Sequence, residues 1–226
     1  MAGHAPVAMR ASGKLRRLQI LEATLRIMRR GGLRAISHRT VAAEASVPLA
    51  ATTYYFRDLE DLITEAFLHW SQTPQQQVQE FHAAAVAVLA SAPGHGATAA
   101  ELAEQLADVA AAYVVEQVTM HRSDRVLEFA FLHEAARMAK LRTVVRQRQL
   151  ADREFLVQFH AAVGSREPAI DAQVSYSLLL GLEKAALLAD SEASAIASIR
   201  QVLVVYLRRL LAVAPVTAQA TTDPLP

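Results

Sequence analysis

Residues 46–56 read SVPLAATTYYF: two tyrosines, three hydroxyls of serine or threonine and one proline in eleven positions, with no acid and no base. A hydrophobic core selects against so many hydroxyls, and a solvated face carries charge. The flanks give the stretch its meaning. Upstream, Ser37 suits an N-cap, with Thr40 following it in the next turn and Ile36 and Val41 in the positions of a hydrophobic staple. The helix so started is short, running to about Ala45. Ser46 and Val47 then make a turn, and Pro48, with its fixed φ and missing donor, suits the start of another helix.

Before this pair, Leu18, Leu21, Leu25 and Met28 recur at helical spacing, while Arg16, Arg17, Arg26, Arg29 and Arg30 lie largely on other faces. That is one amphipathic helix, closed by Gly31 and Gly32. Two short helices joined by a tight turn behind a longer, arginine-bearing helix have the proportions of a helix-turn-helix reader of DNA, expected over 37–56. A recognition helix has to offer hydrogen-bonding groups to phosphates and base edges without acids that repel the backbone. Thr52, Thr53 and Tyr54 meet that need, and Leu49 and Ala51 offer apolar surface to a thymine methyl. Phe56 is assigned to the core, and Tyr55 fits either the core or a phosphate. With Ser37, Arg39 and Thr40 on the helix before the turn and Arg57 beyond it, these residues form the expected DNA-contacting set.

Composition is consistent with that reading. The 226 residues are 53% hydrophobic, enough for one large core or two smaller ones. Glycine and proline are sparse and clustered at Gly31-Gly32, Pro93 to Gly96 and Gly164 to Pro168, so strand punctuation is missing and the chain is expected to be all helical. The absence of cysteine excludes disulfides and thiolate metal sites. No signal peptide and no membrane span is read, and the cytoplasm is the expected compartment. Net charge is only +1, yet the first forty residues hold nine Lys or Arg against the single acid Glu22. Such a segment beside a helix-turn-helix is expected to face phosphate.

Residues 15–70 resemble the DNA-binding module of the tetracycline-repressor family. Its pattern runs through T-x-x-x-[IV]-A, a turn A-G-V-S, a recognition helix x-G-T-L-Y-x-[YH]-F and a closing x-[SN]-K-x-x-L. The chain supplies Val41-Ala42, Ala45-Ser46-Val47, Tyr54-Tyr55-Phe56 and Arg57 to Leu62. It departs from the pattern at Ser46 and Ala50, where glycine is usual, at Pro48 in place of the capping serine, at Thr53 in place of a tyrosine and at Leu59 in place of a lysine. Arg57 or the N-terminal arginines are candidates to replace that lysine's contact.

Beyond the reader, Leu62, Ile63, Ala66, Phe67 and Trp70 continue a linking helix capped by Asp58, with a break at Pro74 and the glutamines that follow. Further helical stretches are expected over 98–120 and from Val126 to Val163, and then over 169–189 and 194–213. The last two are apolar around much of their circumference. The resemblance implies that they form a four-helix bundle with a second copy, through Leu178, Leu179, Leu182 and Ala186 on one and Ile199, Val202, Leu203, Tyr206 and Leu210 on the other; a wholly internal core is the alternative. It also implies a small-molecule cavity in the middle helices, whose occupation resets the spacing of the two readers. Phe67, Trp70, Tyr113, Gln117, Met120, His121, Phe129, His133 and Tyr176 are the candidates to line it, as bulky or polar residues among apolar ones.

The expected architecture is therefore an all-α chain of about nine helices. It comprises a disordered arm at 1–14, a three-helix DNA-binding domain at 15–58, a helical effector-binding and dimerisation domain at 59–214, and a disordered tail at 215–226. The expected partners are a palindromic DNA operator, a second copy and a small, mostly apolar effector, the usual sign of control being repression. No cofactor or metal is expected. Enzyme readings lack their motifs: Glu128 and Glu154 have no histidine three residues on, and His133-Glu134 has Arg137 where a zinc protease needs its second histidine. An architectural DNA-binding protein without an effector is the rival.

Overall fold

The computed structural model describes residues 5–72, 76–91 and 98–213. All regular structure among them is helical: α1 (Ala5–Gly31), a 3-10 turn (Leu33–Ala35), α2 (His38–Glu44), α3 (Leu49–Tyr55), α4 (Leu59–Ser71), α5 (Gln76–Ser91), α6 (Ala99–Thr119), α7 (Arg122–Ala135), α8 (Ala139–Ala162), α9 (Pro168–Leu187) and α10 (Glu192–Val213). Ten helices thus stand where about nine were expected. The material from 126 to 163 divides in two without a glycine or proline to mark the place. Arg142 makes the division stable, donating to the freed carbonyls of Ala135 (3.0 Å) and Ala136 (2.8 Å) at the end of α7.

The arm expected at 1–14 is corrected in part. α1 begins at Ala5, so residues 5–14 are helical. Pro6 fits a first turn, where its missing N–H is no loss, and nothing after it interrupts the helix before Gly31. The expected tail at 215–226, the Pro93 to Gly96 loop and the break at Pro74 lie outside the described residues.

Packing divides the chain into two units, 1–74 with 123–149 and 75–122 with 150–226, and α8 contributes to both. The boundary expected between 58 and 59 is not a packing boundary. α4 buries Leu62, Ile63, Ala66, Phe67 and Trp70 in one core with Ile20, Leu21 and Met28 of α1 and Leu127 and Phe131 of α7. Phe131 stands 5.2 Å from the Phe67 ring and 6.0 Å from that of Trp70. Asp58 caps α4, its carboxylate accepting from the Asp61 N–H at 2.7 Å, and Lys140 of α8 donates its backbone N–H to Glu60 at 2.8 Å.

In the second unit α6 is central. It starts from a capping box in which Thr98 and Glu101 satisfy each other's backbone donors. Its alanines at 103, 107, 110 and 111 are buried, and this small-residue face admits Ile199, Leu203, Leu207 and Leu211 of α10. Arg200 of α10 reaches Glu104 (2.7 Å) and Asp108 (2.6 Å) on the rim of that seam.

Candidate nucleic-acid interface and interior cavity

The geometry of the reader follows from α2 and its two ends. Ser37 is the N-cap, its hydroxyl accepting from the Thr40 N–H at 3.1 Å, while the Thr40 hydroxyl accepts from the Ser37 N–H at 2.9 Å. The helix closes in a Schellman motif: Val47 N–H donates to Ala42 O at 3.0 Å and Ser46 N–H to Ala43 O at 3.2 Å. Ser46 occupies the left-handed position of that motif with φ 54°. Chain direction is thereby fixed for α3, whose N-cap Pro48 offers no side-chain acceptor.

α3 turns Pro48, Leu49, Ala50, Thr53 and Tyr54 outward, Tyr54 to 82% exposure, and Arg57 follows in the open. Ser37, Arg39 and Thr40 are exposed as well. Two expectations are corrected. Thr52 is 0% exposed and donates its hydroxyl to Leu49 O at 2.8 Å, so it is part of the core and not a base reader. Ala51 is half-buried and packs on the same core, leaving Ala50 as the exposed alanine. The physical reason is that Thr52 lies one helical turn before the core Phe56, on its face, at the position where the family pattern has leucine. Tyr55 settles between its two options as a half-buried ring against the core.

The basic N-terminal segment is less free than its charge suggests. Arg17 pairs with Glu65, Arg26 with Glu44 at 2.8 Å, Arg29 with Asp124 at 2.8 Å and Arg30 with Glu44. Hydrogen bonds from Arg30 and then Arg26 hold the Glu44 carboxyl down at about 2. These arginines brace α1 to α2, α4 and α7. Among the described residues, Lys14, Arg16, Arg34 and Arg39 carry charge with no ion pair.

The residues expected to line one cavity fall in separate places. Phe67 and Trp70 are core residues of the first unit, where Phe129 is half-buried and His133 exposed. In the second unit Tyr113 stacks on Phe81 (4.7 Å), Gln117 is buried and Tyr176 half-buried; His121 pairs with Glu116 at 3.5 Å, and Met120 is exposed at the end of α6. None of them borders a cavity of about 50 Å³ in the second unit. Its walls are rings and aliphatic chains of α5, α6, α8, α9 and α10, chiefly Phe81, Leu106, Phe155, Phe159, Leu178 and Leu203. Two polar residues line it, Ser175 and Tyr206, whose hydroxyls share a 2.8 Å hydrogen bond. Behind Ser175 stands His160, fully buried, with Nε2 at 2.7 Å from the serine oxygen. Burial holds the His160 pKa below the ordinary histidine value, against a smaller upward pull from Asp171.

Helix-end signals shape this corner. Gly164 at φ 82° closes α8 in a second Schellman motif, Ser165 N–H donating to His160 O at 2.9 Å. That turn returns the chain to α9, where Ser175 meets His160. Most of the residues expected at a dimer seam also pack within their own unit. Ala186, Ile199 and Leu203 are buried in the core of their own unit, Leu178, Leu179 and Tyr206 border the cavity, and Leu182 and Leu210 pack on the same core. Val202 alone of that set stands exposed, and it shares the outer faces of α9 and α10 with Ile170, Val174, Leu188 and Val205.

A profile of the tetracyclin repressor-like C-terminal domain matches residues 97–213. The chain belongs to the tetracycline-repressor-like family of transcriptional regulators. Solved structures of regulators agree. The multidrug binding protein EbrR in complex with ethidium is 30% identical with a TM-score of 0.57, the alignment covering 85% of this chain and 97% of that one; EbrR has also been solved with proflavin. A transcriptional regulator from Streptomyces coelicolor A3(2) is 27% identical over 83% of this chain and 98% of its own, with a TM-score of 0.55. One from Rhodococcus sp. Rha1 shares the fold, with a TM-score of 0.61 at 18% identity, over 89% of this chain and 98% of its own. Among curated proteins none matches. Members of this family are regulators of transcription. No helix among the described residues is long and apolar enough to cross a membrane.

Proposed function

We propose that the protein is a dimeric, ligand-responsive repressor of the cytoplasm, which holds a palindromic operator with two helix-turn-helix units and leaves it when a small, mostly apolar effector enters the second packing unit. The observation that carries the DNA half is the outward face of α3, where Leu49, Ala50, Thr53 and Tyr54 stand free of any acid. Leu49 and Ala50 suit thymine methyls, the Tyr54 hydroxyl suits phosphate or a base edge, the exposed Thr53 oxygen, whose proton goes to Ala50 O at 3.2 Å, suits a donor on a base edge, and Ser37, Arg39, Thr40 and Arg57 suit the flanking backbone. Lys14, Arg16 and Arg34 add the diffuse attraction on which affinity depends.

Support for the dimer comes from the exposed apolar side chains on α9 and α10, which a second copy related by a two-fold axis would cover. Gly181 adds room between them, since a methyl group placed on it would meet no other atom within 4 Å. Support for an effector, though not for its charge, comes from the cavity beside His160, Ser175 and Tyr206, and from EbrR, a multidrug binding protein solved with ethidium and with proflavin. Linkage makes the coupling reciprocal, so an effector that weakens operator binding binds less tightly to the operator complex.

The test is operator binding by fluorescence anisotropy, with duplexes enriched from a random pool, in the presence and absence of candidate ligands. The proposal expects binding that falls steeply with salt and is reversed by a ligand that also raises the thermal midpoint. The small volume of the cavity favours one alternative, a DNA-organising protein with no effector. Operator binding that no ligand weakens, joined to a melting midpoint that no ligand shifts, would establish that alternative.

A further inference from the structure

The chemistry of the cavity narrows what can occupy it, on the reading that it is the effector site. Its lining contains no acid, base or amide side chain, and Ser175 and Tyr206 are its polar residues. Charged side chains meet Tyr206 from the other side, where Arg166, Glu167, Asp171 and Arg209 border a cleft of about 460 Å³ that shares Tyr206 as a wall. An ion of either sign that entered the cavity would lose its water without gaining a counter-charge, a transfer that proteins strongly oppose.

The hydrogen bonds also have a direction. His160 Nδ1 is buried without a partner, while Nε2 lies against Ser175. A buried N–H lacking an acceptor is rarer than a buried lone pair lacking a donor. The proton of the neutral ring therefore belongs on Nε2, donating to Ser175. Ser175 has one hydrogen, and giving it to the Tyr206 oxygen completes its own bonding. The phenolic O–H is then the free end of the chain.

We propose that the cavity binds an uncharged, single-ring aromatic molecule carrying a hydrogen-bond acceptor, such as an aryl ketone, with Tyr206 donating to that acceptor. The rings of Phe81, Phe155 and Phe159, with centroids 6.1 Å and 6.4 Å apart in sequence, give the site its preference for a flat apolar body. At about 50 Å³ the cavity is smaller than the roughly 150 Å³ that accommodates benzene in an engineered apolar core. Room for one ring has to come from the half-buried rings of Phe81, Phe155 and Phe159 giving way, with Tyr206 held in place by Ser175.

The test uses the full chain without DNA and three probes in isothermal titration: acetophenone, ethylbenzene, a ring of similar size with no acceptor, and ethidium, a permanent cation. Both neutral probes are expected to bind saturably and to compete, and ethidium is expected not to displace them. Tyr206→Phe should weaken acetophenone about tenfold and change ethylbenzene by less than about twofold. Ser175→Ala should act in the same direction with a smaller loss, and it serves if the tyrosine variant fails to melt cooperatively. Equal loss for both neutral probes, failure of both to bind, or competitive binding of ethidium would each overturn the assignment. Operator release is read separately: acetophenone that binds as described yet leaves the operator complex intact would sink the effector reading and leave the ligand class standing.

Discussion

At the scale of single residues, the reader's face is decided by which hydroxyls α3 keeps for itself. Thr52 spends its donor on Leu49 O and its methyl on the core, whereas Tyr54 offers its phenol to whatever approaches. Thr52→Val should therefore leave DNA affinity within about twofold, while Tyr54→Phe should weaken every duplex by a similar factor, on the order of fivefold, measured by anisotropy on matched and scrambled sites. The sequence shows that hydroxyls cluster here, and the turn-by-turn spacing to Phe56 distinguishes the buried one from the exposed ones. A second residue-scale consequence concerns pH. Burial lowers the pKa of both His160 and His82, the latter stacked 3.6 Å from the Phe155 ring, from an ordinary 6.5. A lowered folded value means that the stabilisation is complete above 6.5 and is lost as pH falls through the folded values. The thermal midpoint should drop between about pH 7 and about pH 5, and His160→Gln should flatten part of that slope. The polar chain through His160, Ser175 and Tyr206 had no sequence signature, because its members are separated in sequence and meet only when α8, α9 and α10 pack.

At the scale of elements, most of the fold is written in helix ends. Ser37, Asp58, Gly31-Gly32 and Pro168 place their boundaries within a residue or two of where the sequence puts them. The division between α7 and α8 is the exception, because it depends on an arginine folding back from the following helix. Ser46 stands in a left-handed position that penalises a β-carbon by roughly 1–2 kcal/mol, partly offset by the looser unfolded chain of a glycine variant. Ser46→Gly should raise stability by roughly 0.5–1 kcal/mol in urea titrations without altering operator preference. Glu44 braces α2 to α1 through Arg30 and Arg26 and ionises at about 2 rather than 4.5. Its depressed value supports the fold above 4.5, and that support is lost as pH falls toward 2. Glu44→Gln should lower the thermal midpoint at neutral pH and lose its effect under strong acid.

At the scale of the whole molecule, the sequence separates a basic beginning from an apolar end, and each half of that separation needs qualification. Four of the N-terminal arginines are consumed by Glu65, Glu44 and Asp124 within the first packing unit, which charge counting could not foresee since the acids are distant in sequence. The apolar excess of α9 and α10 divides between a core inside one chain and an outer face, and helical periodicity shows the excess without saying how it divides. Neither point disturbs the central claim, that two copies of α2 and α3 held by a two-fold axis read one duplex. Selection of binding sites from a random-sequence DNA pool tests it most directly. The account predicts inverted half-sites with centres about one helical turn apart, roughly 34–36 Å, or a multiple of it; enrichment of an unpaired, asymmetric motif, or of no motif at low salt, would contradict it.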